Sequence, residues 1–346
     1  MRLTTIAENP IERLLLTAGL VPTPLMDTMV ALLLARTIMT ATKLHVFDAL
    51  ASGPLSAKEV ARYCQTDSRA TEKLLFALTG ARYLRVKADK YALAPATRKW
   101  LLKDSSQPLR DAVLHRYLDA DLMEHAEEFL RTGQATNFHD NMSSEQWELY
   151  QRGQRAHAVY SAPEVARRVP VPKNPRTMLD IGGAHGHFSA ALCRRYPDLH
   201  SVILDLPEAA GHSQPLLACE GLKDRLTYRV GNALTDEIGR EEFDLIFVAN
   251  LVHHFDDGQN RALMKKIAHA LRPGGSCVIL EIIRPESPRR AGQVGALTDF
   301  YFAITSSSGT WSFKEMGDWQ KQAGLRAYKP IKLRMSPGYG MQAARK

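Results

Sequence analysis

Cysteine is scarce in this chain of 346 residues: Cys64, Cys193, Cys219 and Cys277 stand far apart, with no Cys-x-x-Cys pair and no cysteine–histidine cluster at zinc spacing. That argues against a disulfide framework and a metal site, and for a reducing, cytoplasmic setting. Long hydrophobic runs are missing as well. The most apolar stretch, Thr28 to Ala35, is eight residues between Asp27 and Arg36, against the ~20 that a membrane span needs. Near the start, Glu8, Glu12 and Arg13 interrupt what a secretory leader would keep apolar. A soluble protein with no membrane partner is expected. There is no dense run of Lys or Arg either. The net charge of +8 is spread as +7 over residues 1–110, −4 over 111–170 and +5 beyond. Charge dispersed in this way reads as solvated surface and not as a nucleic-acid footprint. No internal repeat or low-complexity segment is present.

What remains is a chain of ordinary globular composition, 45% hydrophobic, long enough for two domains. Asn9-Pro10 caps a short amphipathic helix, with Pro10 where its missing N–H costs nothing. A longer helix is expected from about Pro24 to Ala51. It is apolar on more than one face, which implies burial against a second chain. Ser56 and Glu59 form a capping box ahead of one helix, and DSRATEKLLFALTGARYL is another, stopped by Gly80. YLRVKADKYAL then alternates as a hairpin. Helix, helix, hairpin is the order of a winged helix. The helix that would enter a DNA groove offers Leu74, Leu75, Phe76 and Leu78 with only Arg69 and Lys73 as cations; groove readers are more polar there. A DNA-binding regulator is therefore the lesser reading.

Residues 107–170 read as helical and acidic, and VPVPKNPR closes them as a linker. Beyond it, strands are expected near 176–181, 200–205, 226–230, 243–249, 276–283, 325–332 and 338–344, alternating with helices. That pattern gives a largely parallel α/β sheet. The expected domains are 1–108, 109–172 (a helical linker contributing to the ligand pocket) and 173–346.

TMLDIGGAHGHFSAAL is a strand, a glycine-rich turn and a helix start. Gly182, Gly183 and Gly186 let the backbone turn and approach a ligand. Asp180 ends the strand before them, where a methionine-derived ammonium group would find a negative neighbour. Asp205, in SVILDLP, ends the second strand and can accept from both ribose hydroxyls, a demand shared with nicotinamide sites.

TMLDIGGAHGHFS, ILDLP, FDLIFVANLVHHFDDGQN, ALRPGGSCVILEII and SFKEMGDWQKQAGL follow in one order. Together they resemble the small-molecule O-methyltransferases of the caffeic acid, acetylserotonin and hydroxyneurosporene type. LHVFDAL and the capped helix pair resemble the opening of the family's dimerisation domain. The resemblance implies a Rossmann-like, seven-stranded class I methyltransferase domain behind a mostly helical, winged-helix-like dimerisation domain. It implies S-adenosyl-L-methionine as cofactor, a homodimer, and a small aromatic secondary metabolite as acceptor.

Carried over residue by residue, Asp180, Gly182, Gly183 and Gly186 fall on the cofactor loop, and Asp205 with Leu206 on the ribose site. Gly231, Asn232 and Ala233 fall on the adenine segment, where Asn232 replaces the usual aspartate; its amide oxygen can still accept from an amine. Asn250 follows Ala249, which stands where many plant members have a lysine. Ala184 replaces a third glycine. His253 falls on the general base, with His254 on the acceptor side and Glu281 as the acid beside the base. A neutral phenol is a poor nucleophile, and imidazole, with a reference pKa near ~6.5, can take its proton at neutral pH. Thr310 stands where the family has a second glutamate, so nitrogen or carbon acceptors, or a reaction without methyl transfer, stay open as alternatives. Phe300, Phe302 and Trp311 would suit a flat acceptor.

Overall fold

The computed structural model describes residues 4–306 and 308–346, leaving out the side chains of Asp140, Asn141 and Arg290. The chain divides into two compact units, one ending at Tyr117 and the other beginning at Leu118.

In the first unit, Asn9 caps the helix Pro10–Thr17 by accepting from the Glu12 N–H at 2.9 Å. The continuous helix expected from Pro24 to Ala51 is not found. Helix covers Thr23–Lys43, with a π-type turn over Met26–Val30, and breaks where His45 takes φ +62° before the short helix Val46–Ala49. A left-handed residue cannot continue a right-handed helix. The 21 residues of Thr23–Lys43 contain an 18-residue window of mean hydropathy 1.3, long and apolar enough to cross a membrane by length and composition alone. Met29, Leu32 and Leu33 on it are exposed. Ser56 and Glu59 close their capping box ahead of the helix Ala57–Cys64. The helix Ser68–Gly80 follows, burying Leu75 and Leu78. The hairpin pairs β1 (Leu84–Lys87) with β2 (Lys90–Leu93), and Ala88 and Asp89 both take positive φ in its turn. Leu55 adds an antiparallel bridge to Tyr91, which completes a winged-helix arrangement.

In the second unit, the helices Ala126–Thr132 and Ser144–Arg168 precede the sheet. Its strands are β3 (Thr177–Ile181), β4 (His200–Asp205), β5 (Leu226–Val230), β6 (Phe243–Ala249), β7 (Leu271–Ile282), β8 (Arg326–Ala327), β9 (Ile331–Lys332) and β10 (Tyr339–Arg345). They lie in the order β5-β4-β3-β6-β7-β10-β8, with β9 also on β10. β3 to β7 pair in parallel, and β10 is antiparallel to its neighbours. The single strand expected over 325–332 is instead two short pieces, because Pro330 between them has no N–H to give β10.

Alternation along the strands divides the core into two layers. Leu179, Ile246, Val248, Cys277 and Ile279 face Leu263, Met264, Met316 and Trp319, which come from the helices Asp257–Ala270 and Phe313–Gln322. Met178, Leu245, Phe247, Val278 and Leu280 face Phe188, Leu192, Ala162 and Val165, from the helices His187–Arg195 and Ser144–Arg168. The sheet order reverses at β3, which has β4 on one side and β6 on the other. Ligands of open α/β sheets bind beyond the carboxyl ends of strands at such a reversal.

Candidate active site

A cavity of ≈ 670 Å³ opens there, lined by the ends of β3, β4 and β6 and by the helix Ser144–Arg168. The turn after β3 forms one wall. Gly182 and Gly186 both have φ +67°. A Cβ on Gly186 would fall 2.3 Å from Leu217 Cδ1, and one on Gly183 would fall 2.5 Å from Asp180 Cγ. Only glycine lets this turn close onto the sheet. Ala184 also sits in the left-handed region at φ +44°. Two bonds hold it: its N–H donates to Asp205 Oδ2 at 2.8 Å, and the Tyr228 hydroxyl donates to its carbonyl.

The predicted cofactor residues divide in two. Gly182, Asp205, Leu206, Gly231, Asn232, Ala233 and Asn250 line the cavity. Asp205 accepts from Ala184 N and Leu206 N, both at 2.8 Å, and its recessed position pushes its pKa up to about 6. The amide oxygen of Asn232 accepts from Leu234 N at 2.9 Å in a tight turn. Asn250, at φ +51°, donates its N–H to Leu280. Asp180, Gly183 and Gly186 are not on the cavity wall. Asp180 lies beneath the glycine turn, 1% exposed, accepting from Ser189 Oγ at 2.6 Å while its Oδ1 has no partner. Burial raises its pKa to about 7.

The histidine loop forms another part of the wall, as a short 3-10 turn over Val252–His254. Its backbone is fastened from several directions. Asn260 Nδ2 and Trp311 Nε1 both donate to the Val252 carbonyl at 2.9 Å, and Ser306 Oγ and Ser308 Oγ donate to that of His253 at 2.9 and 3.0 Å. His253 is 2% exposed, and its Nδ1 lies 3.0 Å from each oxygen of the fully buried Glu281, near the end of β7. Phe302 stacks on the His253 ring with centroids 3.9 Å apart, and His254 lies 4.2 Å away on the cavity wall. Burial and two neighbouring imidazoles hold the pKa of His254 well below the usual histidine range.

Three expected acceptor-site residues fare differently. Phe302 meets the histidine as described. Phe300 packs edge-on to Phe129, centroids 6.4 Å apart, beside a second hollow that Asn137 shares with the main cavity. Trp311 needs correction: it belongs to the hydrophobic core, edge-on to Trp319 at 4.9 Å, with its indole N–H committed to Val252. A large ring in the segment after Ser308 was as well suited to the core as to the acceptor. Thr310 is fully buried, and both its N–H and its hydroxyl donate to Asp299 Oδ1, so a carboxylate from the helix Gln293–Thr305 does reach this position.

The helical segment 109–172 was expected to contribute to the pocket, but sequence reading named none of the side chains that do so: His139, Trp147, Tyr150 and Gln151. Gln151 is 1% exposed and its Oε1 has no partner. The available signal was the helical spacing of Trp147 and Gln151, one turn apart and therefore on one face. Among the described residues no group of three or more His, Cys, Asp or Glu side chains is arranged to hold a metal ion.

Residues 115–326 match the model of the O-methyltransferase domain, and residues 26–104 that of the O-methyltransferase dimerisation domain. The chain is 28% identical to an N,N-dimethyltransferase of Streptomyces rimosus, over 72% of this chain and 75% of that one. It is 25% identical to the 3-hydroxy-5-methyl-1-naphthoate 3-O-methyltransferase of Streptomyces sahachiroi, over 92% and 93%. Human N-acetylserotonin methyltransferase, solved in complex with SAM, superposes with a TM-score of 0.83 at 19% identity, covering 99% of each chain. With its catalytic and dimerisation segments both matched, the chain is an enzyme of the S-adenosylmethionine-dependent O-methyltransferase family.

Proposed function

We propose that this enzyme transfers the methyl group of S-adenosylmethionine to a phenolic hydroxyl of a small aromatic secondary metabolite, with His253 as general base. The observation that carries the proposal is the buried His253–Glu281 pair, held directly behind His254, which lines the same cavity as Asp205.

The cavity suits the cofactor. Asp205 and Glu208 are the charged side chains on its wall, with no Lys or Arg among the described lining residues. Such a wall favours a cationic sulfonium. The oxygens of Asp205 keep acceptor capacity for the ribose hydroxyls after receiving two backbone N–H groups. Asn232 and Ala233 offer the adenine contacts, and the buried amide of Gln151 suits a polar group of the methionine end. Bound here, the cofactor supplies an activated methyl group, so the protein's tasks are alignment and deprotonation.

Glu281 accepts from Nδ1–H of His253, which leaves Nε2 to take the acceptor proton, and it stabilises the imidazolium that results. Phe302 fixes the plane of the ring by stacking. The first-unit helix with Met29, Leu32 and Leu33 exposed lies within the matched dimerisation segment, and we propose that it pairs two chains. Incubation with labelled S-adenosylmethionine and a panel of phenols, hydroxyquinolines and indoles tests the function. Label in a phenolic ether supports it, and label in an amine would favour N-methylation, as the name of the S. rimosus relative suggests. Decarboxylation or rearrangement without S-adenosylhomocysteine would contradict methyl transfer altogether.

A further inference from the structure

The histidine loop does not face the acceptor alone. Residues 133–143 run between two helices, and Thr136 fastens them by donating its N–H and its hydroxyl to the Ile304 carbonyl, at 2.9 and 3.1 Å. Three residues on, His139 stands edge-on to His254 with ring centroids 4.8 Å apart. Phe138, Trp147 and Tyr150 hold its other sides at 4.0, 5.4 and 5.0 Å. Both His139 and His254 line the cavity, and His254 is the ring that touches His253.

Such an aromatic box explains why a flat ring sits at 139. It does not explain an imidazole, since phenylalanine would pack the same faces without burying two polar nitrogens. Burial, with His253 nearby, lowers the pKa of His139 to about 4. At neutral pH the ring is therefore uncharged and offers one donor and one acceptor. No Lys or Arg stands among the described lining residues, so this end is shaped for a neutral oxygen and not for a carboxylate.

We propose that His139 is a specificity-determining residue: it hydrogen-bonds a second oxygen of the acceptor, adjacent to the one His253 deprotonates, so the site selects aromatic acceptors with a vicinal pair of oxygens. The proposal rests on the O-methylation reading and deepens it.

Calorimetry on the full chain saturated with S-adenosylhomocysteine, using 2,3-dihydroxynaphthalene and 2-naphthol, isolates the single hydroxyl by which these two probes differ. Wild type should bind the diol about tenfold more tightly, the worth of one buried hydrogen bond. His139→Phe keeps the ring stack; it should erase that preference and leave 2-naphthol affinity unchanged. His139→Gln, which keeps a donor and an acceptor, should retain most of the preference, and it serves if the phenylalanine variant does not fold. Equal affinities in wild type, binding of neither probe, or a preference that survives in His139→Phe would each overturn the proposal. The base reading fails separately: it is lost if His253→Ala transfers methyl groups at the wild-type rate, whatever the two probes show.

Discussion

Both carboxylate oxygens of Glu281 lie 3.0 Å from Nδ1 of His253, in a pair of side chains no more than 3% exposed. A carboxylate placed so fixes the tautomer, with the proton on Nδ1 and the lone pair on Nε2. Glu281→Gln keeps the shape and removes the charge. Turnover should fall by as much as about 10⁴, the scale seen when a buried orienting carboxylate becomes an amide, while calorimetric affinity for S-adenosylhomocysteine stays unchanged. A parallel loss of affinity would mean that the pair only holds the loop in place.

Asp205 gives cofactor binding a pH dependence of definite sign. Its carboxyl has a pKa of about 6 because it is recessed, and ribose hydroxyls donate best to the ionised form. Affinity for S-adenosylhomocysteine should be full above that value and fall as the pH drops through it. Asp205→Ala should weaken binding tenfold or more at neutral pH, since a charge-assisted bond is worth about 1.5–3 kcal/mol, and should abolish this pH dependence. Unchanged affinity in a calorimeter would place the ribose elsewhere.

Ala184 is held at φ +44°, where its Cβ is strained by about 1 kcal/mol. Ala184→Gly relieves that strain and keeps the N–H to Asp205. The melting temperature should rise by about 2 °C for a unit of this size, less whatever the freer unfolded chain takes back. A fall in melting temperature at unchanged cofactor affinity would show that the methyl group packs favourably.

Much of this was legible in the sequence because short-range chemistry decides it. Pro10, Ser56 and Glu59 mark helix starts through their own backbone demands, and Asp205 ends the second strand of the sheet domain, as its place in SVILDLP implied. What stayed hidden depends on distance in space. Leu44 and His45 carry no helix-breaking residue, yet the chain turns there. Trp311 reads equally well as core or as acceptor wall until Val252 is seen to take its N–H. His139 lies in a segment without periodicity, and only the approach of His254 reveals it. Asp299 is invisible as a partner of Thr310, since eleven residues and a helix end separate them.

The exposed side chains of the helix Thr23–Lys43 predict the oligomeric state. Leu32 and Leu33 are 64% and 61% exposed, and adjacent apolar groups of this size call for a cover. Light scattering at micromolar concentration should give twice 38.6 kDa. Leu33→Glu, which buries a charge in the proposed interface, should shift the protein toward monomer. A monomeric wild type would leave the helix to another partner, a membrane included.

Single-turnover methyl transfer by His253→Ala and His254→Ala, each measured beside S-adenosylhomocysteine affinity, tests the proposed chemistry most directly. Both variants should bind the product cofactor like wild type, because Asp205 takes its hydrogen bonds from Ala184 and Leu206 and none from either ring. Transfer to a phenol should fall by about 10²–10⁴ in His253→Ala, the contribution of a positioned base, and by much less in His254→Ala, which lines the cavity without a carboxylate behind it. If His254→Ala abolishes transfer while His253→Ala retains it, the base is assigned one residue too early, and the Glu281 pair is structural.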